Sequence, residues 1–239
     1  KNKVAQDQML RGDPGPAARR WLLMVGIVAA VLFAVNTILV MARLTYGFDV
    51  ALEQAAQSVD WGPLVPVMNA TNRSGGVIQD VLAVIIVIAL FAWNRRAGLL
   101  MALGALGSGI CQVFKVLLVR HRPTVDIVKV LDPSRGFSYP SGHAVFFTWI
   151  AVMLAMALVP HVPRNWRFVI WTLAALLVFV GGLGRVWGGA HWPSDVTGGI
   201  LLAISWCAFA LWFPERFLPG PRDQEKGPAR RRQKRPSTA

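Results

Sequence analysis

Charge is scarce in this sequence, and negative charge scarcer still. Of 239 residues 15% are charged, against roughly 25% in an average soluble domain. Only 12 Asp and Glu stand against 25 Lys and Arg. Cysteine is nearly absent: Cys111 and Cys207 lie in apolar stretches and read as small buried hydrophobes, which excludes a disulfide scaffold. What the chain has in excess is apolar character, 54% of residues with ten Trp. That excludes disorder over most of the length, because disordered chains are poor in apolar residues. A net charge of +13 points toward nucleic acid or an anionic surface. A small nucleic-acid module would spread those bases over a polar exterior, which this composition does not supply. The remaining class is a membrane protein, and the question becomes where its charges sit.

Six apolar segments, 21–42, 77–93, 97–119, 144–159, 168–184 and 196–213, approach the ~20 residues that cross a bilayer core. The first is uncharged, too long for a signal peptide and without a small-residue cleavage site behind it. No internal repeat relates the segments. Short cytoplasmic loops collect Lys and Arg. The N-terminal tail, the turn at Arg95 and Arg96, the turn at Arg164 and Arg167 and the C-terminal tail carry +3, +2, +2 and +5. Starting inside and crossing six times puts all four on the cytoplasmic side, so +12 of the +13 reports orientation. The expected fold is all-α, a polytopic membrane protein of six transmembrane helices with both termini cytoplasmic. A basic tail at 1–20 and a basic, disordered tail at 215–239 flank a membrane domain at 21–214. The basic run at 230–235 reads as a topogenic or anionic-lipid contact, and no nucleic-acid partner is expected.

Three connections then lie outside, at 44–76, 120–143 and 185–195. In the first, Phe48, Leu52, Ala55, Ala56 and Val59 recur at helical spacing, the pattern of an interfacial amphipathic helix. The other two gather the chemistry. Lys115 and Arg122 are seven residues apart, two helical turns, so both can point one way from the end of the third segment, which Pro123 stops or bends. Pro140-Ser141-Gly142-His143 directly precedes the fourth segment, where glycine permits close backbone approach and helix N-terminal amides attract anions. Arg185 ends the fifth. His191 and Asp195 flank the start of the sixth, with Pro193 preset for a first helical turn. A carboxylate four residues from a histidine can reach its ring N–H and fix the tautomer. Singly, each residue has a bland reading: Lys115 as a snorkelling side chain, the arginines as interfacial anchors, the histidines as structural. Three cations, two histidines and a carboxylate on one membrane face do not, because ionisable groups in a membrane are costly and default to function. Arg120 and His121 fall in this region without an assigned role, and His161 lies in a cytoplasmic turn.

These residues resemble the signature motifs of the type 2 phosphatidic acid phosphatase superfamily: Lys115, six residues, Arg122-Pro123; Pro140-Ser141-Gly142-His143; and Arg185, five residues, His191, three residues, Asp195. One departure is visible. The third motif usually opens Ser-Arg, and here Gly184 precedes Arg185, which puts one hydrogen bond of the site in doubt. The resemblance implies metal-independent hydrolysis of a lipid phosphate monoester or diphosphate through a phosphohistidine. His191 would attack phosphorus, Asp195 would orient and support it, and His143 would protonate the leaving oxygen. Lys115, Arg122, Ser141, Gly142 and Arg185 would hold the phosphoryl group. No cofactor is implied, and no acidic cluster suited to a metal pair stands beside the histidines. The substrate would be an amphiphile such as undecaprenyl pyrophosphate, phosphatidic acid or phosphatidylglycerol phosphate. It would be met at the outer face of a plasma (inner) membrane, with the site toward the periplasm or cell exterior. The rival class is a non-catalytic lipid-phosphate binder or transporter, which needs the three cations but has little use for the histidines and Asp195. A second rival, vanadate-dependent oxidation as in the family's soluble haloperoxidase relatives, is disfavoured by the membrane setting.

Overall fold

A computed structural model describes residues 15–212; both basic tails, expected at 1–20 and 215–239, lie wholly or mostly outside the described residues. The chain forms α1 (Gly15–Met41), α2 (Tyr46–Ser58), α3 (Leu64–Arg73), α4 (Val77–Trp93), α5 (Arg95–Leu118), α6 (Gly142–Leu158), α7 (Arg167–Trp187) and α8 (Pro193–Trp212). Two short 3-10 turns, Val159–His161 and Arg164–Trp166, join α6 to α7. All six apolar segments are therefore helices. Five of them are long and apolar enough to cross a membrane. The sixth, α4, has 17 residues, about 25 Å at 1.5 Å per residue, a little short of a ~30 Å hydrocarbon core. It forms a bent pair with α3, the two axes meeting at 89°.

The helices divide into an inner and an outer set. α6 is the hub: Phe146, Trp149, Ile150 and Met153 pack with Leu100, Met101 and Cys111 of α5, Leu202, Ala203 and Cys207 of α8, and Phe33 and Val40 of α1. Both cysteines are free and buried there, as their apolar surroundings predicted. α1, α4 and α7 instead display apolar side chains, among them Ile38, Ile88 and Phe179, the surface a bilayer would cover. Polar pairs bind the bundle where no water would compete. Trp149 Nε1 donates to Ser108 Oγ at 3.0 Å, Trp206 Nε1 to the Leu103 carbonyl at 2.7 Å and Ser205 Oγ to the Gly26 carbonyl at 3.1 Å.

Helix termini set where the loops begin. Asn94 Oδ1 caps α5 by accepting from the Arg96 and Ala97 amides at 2.9 and 3.2 Å. At the far end of α5 the expectation needs correcting. The helix stops at Leu118, four residues before Arg122, because Val119 turns left-handed (φ 44) and returns its N–H to the Lys115 carbonyl. Pro123 does not end it. Lys115 and Arg122 are thus not on one helical face, and their convergence comes from the turn at Val119.

The loop of residues 119–141 is pinned from three sides. Gln57 on α2 brackets Lys129, accepting from its N–H at 2.9 Å and donating to its carbonyl at 2.7 Å. The Leu131 and Asp132 amides both donate to the Gly188 carbonyl at 2.9 Å. Beside it Gly189 takes φ +68 against the Lys129–Val130 backbone, where a Cβ would have no room. Tyr139, fully buried, shares its hydroxyl with Thr37 at 2.7 Å and accepts from Asn36 at 3.0 Å, which ties α1 to the loop.

The 48–59 pattern forms α2, with Phe48 and Leu52 facing outward as an interfacial helix requires. Its opposite face is less ordinary, for Asp49 and Glu53, one turn apart, are both wholly buried.

Candidate active site

A cavity of about 660 Å³ opens at one end of the bundle, where α4 and α6 begin and α5 and α7 end. Lys115, Arg122, Gly142, His143, Arg185 and His191 all line it. Eight candidate residues were named from sequence, and the fold brings these six to one wall; Ser141 and Asp195 stand behind it. Lys115 rises from the last turn of α5 and donates to the Phe137 carbonyl at 2.9 Å. Arg122 spreads its fork over four carbonyls, those of Gly136 (2.9 Å), Ala190 (2.6 Å), Arg135 (3.1 Å) and Phe137 (3.2 Å). Burial and the neighbouring Arg185 bring the Arg122 guanidinium down to about 10, which leaves it charged at neutral pH.

His191 is the best-defined group. Its Nε2 lies 3.0 Å from Arg122 Nη1, and a guanidinium only donates. Nε2 therefore carries the lone pair and the proton sits on Nδ1, a tautomer inferred from the hydrogen-bond network. On that side Asp195 Oδ2 is 3.5 Å away and Ser138 Oγ 3.4 Å. Burial first, then the charges of Arg122, Lys115 and Arg185, hold the imidazole well below the ordinary histidine range. The ring is neutral, with its lone pair turned toward the cationic wall.

Asp195 is fully buried in the first turn of α8 and is over-determined. Oδ2 accepts from the Trp192 amide at 3.0 Å and from Ser138 Oγ. Oδ1 accepts from Arg120 at 2.5 Å. Ser141 has its hydroxyl on the Ala144 amide at 3.4 Å as the N-cap of α6, while its own N–H donates to the Asp195 carbonyl at 3.0 Å. It therefore reaches the site through Gly142 and the start of α6 rather than through its side chain.

Arg185, 1% exposed, ends α7 and is already paired, to Asp132 at 2.5 Å, Ser134 Oγ at 2.7 Å and Asn72 Oδ1 at 3.2 Å. Beside that cluster His143 Nε2 is buried, with no hydrogen-bond partner among the described residues. The place of the usual Ser before Arg185 is occupied from the other side. A Cβ at Gly184 would stand 3.1 Å from Thr71 Oγ1 and 3.3 Å from Met68, and Asn72 Nδ2 donates to the Gly184 carbonyl at 3.0 Å. Helix α3 fills the space a side chain would take.

Sequence reading missed Asp49, Asn72, Asp132 and Ser138, and left Arg120 without a role. All are single polar residues in loops or short helices, with no periodic partner to mark them. Asp49 with Glu53 is the exception, since two acids at i and i+4 opposite an apolar stripe do mark a face.

The fold and site together define a multi-pass membrane protein that converges cations and histidines on one pocket. The chain belongs to the PAP2 superfamily, whose model matches residues 96–218. It is 30% identical over 126 residues to an undecaprenyl-diphosphatase of Sulfolobus acidocaldarius, covering 51% of this chain and 57% of that protein, so just over half of that relative is spanned. It is 28% identical over 162 residues to phosphatidylglycerophosphatase B of Bacillus subtilis, covering 65% of this chain and 78% of that one. A crystal structure of a transmembrane PAP2-type phosphatidylglycerolphosphate phosphatase from Bacillus subtilis shares the fold, with a TM-score of 0.66 at 24% identity over 78% of this chain and 93% of that one.

Proposed function

We propose that the protein is a lipid phosphate phosphatase working at the outer face of a plasma membrane. The single observation that carries the reading is the orientation of His191, with its Nε2 lone pair facing Arg122 and its Nδ1 side facing Asp195. A binder would need only the cations; a neutral imidazole aimed among them is a nucleophile's arrangement. In the first step Nε2 forms a bond to phosphorus as the bond to the lipid oxygen breaks, and His143 gives that oxygen its proton. The positive charge left on the His191 ring is met by Asp195. In the second step water attacks the phosphohistidine, His143 takes its proton, and the N–P bond breaks to release phosphate. Lys115, Arg122 and Arg185 neutralise the equatorial oxygens, the charge stabilisation that phosphoryl transfer chiefly requires. The start of α6 at Gly142 adds helix N-terminal amides to the same wall.

The cavity is also lined by Gln79 and Asp80 of α4 and by Gln112 and Val116 of α5. Polar groups thus meet apolar helix surface, which suits a phosphorylated amphiphile arriving from the bilayer. The relatives' names favour a prenyl diphosphate or phosphatidylglycerol phosphate, with phosphatidic acid third. The test is phosphate release in detergent from each of the three lipids, in wild type and His191→Ala. Turnover should vanish in the variant while the protein stays folded; equal turnover in both would remove His191 as nucleophile. Hydrolysis is expected to persist in EDTA, and a loss that Mg²⁺ restores would overturn the metal-free mechanism.

A further inference from the structure

Behind the site a chain of charge leads away from His191 to helix α2. Arg120 Nη1 donates to Asp195 Oδ1 at 2.5 Å and to Ser194 Oγ at 2.7 Å. Its Nη2 pairs with Asp49 Oδ2 at 2.7 Å. Asp49 also accepts from the Ser194 amide at 2.8 Å and from Ser194 Oγ at 2.7 Å, so it holds the first turn of α8 as well as Arg120. Both carboxylates have no exposure, and the Arg120 side chain is 11% exposed. The three residues are drawn from positions more than 70 apart in sequence. A buried carboxylate stays ionised only beside a counter-charge, and a buried pair broken on one side is strongly penalised. Arg120 is that counter-charge for Asp195, and its plane is further set by the Trp192 ring, 5.9 Å from the guanidinium carbon.

Glu53 sits one turn along α2 from Asp49. It too is wholly buried, and among the described residues neither of its carboxyl oxygens has a hydrogen-bond partner. The charged groups that face it are Asp195 from α8, Asp49 from its own helix and Arg120 from the loop after α5. Burial, then the Asp195 and Asp49 charges, raise its carboxyl to about 8 against the opposing pull of Arg120.

We propose that Arg120, clamped by Asp49, is a positioning residue that fixes the charge and orientation of Asp195 and through it the His191 tautomer, with the buried carboxyl of Glu53 set beside the pair. The inference rests on the phosphatase reading above. One Arg between two carboxylates leaves a single net negative charge to face the His191 ring when it becomes cationic. An ionised Glu53 would be a third carboxylate competing for one guanidinium, loosening its hold on Asp195. The relay therefore holds below the Glu53 pKa and weakens as pH rises through about 8.

The experiment is steady-state kinetics on the purified protein in detergent with a lipid phosphate the wild type hydrolyses, His191→Ala serving as the inactive control. Arg120→Ala should lower kcat about 100-fold, the scale of a misplaced reacting group, with KM within about twofold. Arg120→Lys should recover part of that loss. Asp49→Asn should cost about 10-fold, as loss of an orienting partner does. The double variant Asp49→Asn/Arg120→Ala should be no slower than Arg120→Ala alone, because the two act as a unit. Should Arg120→Ala fail to fold, Arg120→Lys and Asp49→Asn carry the same comparison. Wild-type kcat should fall through pH 8 to 9, and Glu53→Gln should make that fall shallower. A KM rise at unchanged kcat would make Arg120 a substrate contact, and fully additive losses would reduce the pair to scaffolding; either overturns the relay. An alkaline limb left unchanged by Glu53→Gln overturns the part given to Glu53. An inactive wild type, or an active His191→Ala, sinks the phosphatase reading itself, whereas an inactive control beside a full-speed Arg120→Ala sinks only the relay.

Discussion

Arg122 and Gly184 show how much a single position carries in this site. Arg122 satisfies four carbonyls and faces His191 at once, a geometry that depends on a planar fork of five donors. Lysine keeps the charge but not the fork, so Arg122→Lys is expected to lower kcat/KM about 100-fold, within the range for losing an oxyanion donor. Phosphate release from the preferred lipid measures it, and a loss below tenfold would mean that charge alone suffices. Gly184 is the departure from the family motif, and its explanation is steric. Installing the usual residue as Gly184→Ser would press on Thr71 and Met68. The variant should lose about 1 kcal/mol through overpacking, a melting-temperature drop of a few degrees, with no gain in turnover. Thr71→Ala added to it should restore the lost stability; a faster or hotter-melting Gly184→Ser would show that the serine had been merely absent. The motif residues were legible at this scale because their types and spacings are local. Arg120 was not, since the spacing from Lys115 marks Arg122 and nothing local shows that Arg120 turns to Asp49 and Asp195.

Helices were the most readable level. A run of apolar residues without charge makes a helix in a bilayer because every backbone group must be satisfied within the segment, and each of the six predicted segments is one. Their ends were less readable. α5 stops at Leu118 by a left-handed turn at a valine, a residue whose branching disfavours it, while the proline that should have marked the stop lies beyond. The approach of α8 to α6 is another property no periodicity announces. A Cβ at Gly199 would stand 2.6 Å from the Ser141 carbonyl oxygen and 2.9 Å from Ala144 Cβ. That contact sets Asp195 against the loop that carries Ser138. Gly199→Ala should therefore cost about 1–3 kcal/mol and slow turnover together. Thermal unfolding in detergent beside a kinetic assay checks it, and an unchanged melting temperature would mean the helices have slack here. α2 belongs to the same level: its apolar stripe was read and its two acids mark a face, but that this face is buried and reaches the site was recognisable only once α7 and α8 stood behind it.

For the molecule as a whole, orientation is the property most open to direct test. With the native Cys111 and Cys207 replaced by Ala, a cysteine introduced as Asp126→Cys should react with a membrane-impermeant maleimide on intact cells. One introduced as Arg95→Cys should react only after permeabilisation, and the reverse pattern would invert the proposed topology. The charges that predict this orientation are countable from sequence alone, as are the apolar lengths of the spans and the residue types needed for phosphoryl transfer. These are sums and spacings along the chain, and they survive any arrangement of the helices. Which carboxylate neutralises which arginine is decided elsewhere. Asp49, Arg120 and Asp195 meet only because α2 folds back against the start of α8, and Asp132 reaches Arg185 only because Gly188 anchors its loop. In a buried site the cost of a charge depends on groups within a few ångströms. Those groups come from distant parts of the chain, so the tertiary structure alone determined how the six cavity-lining residues are held and charged.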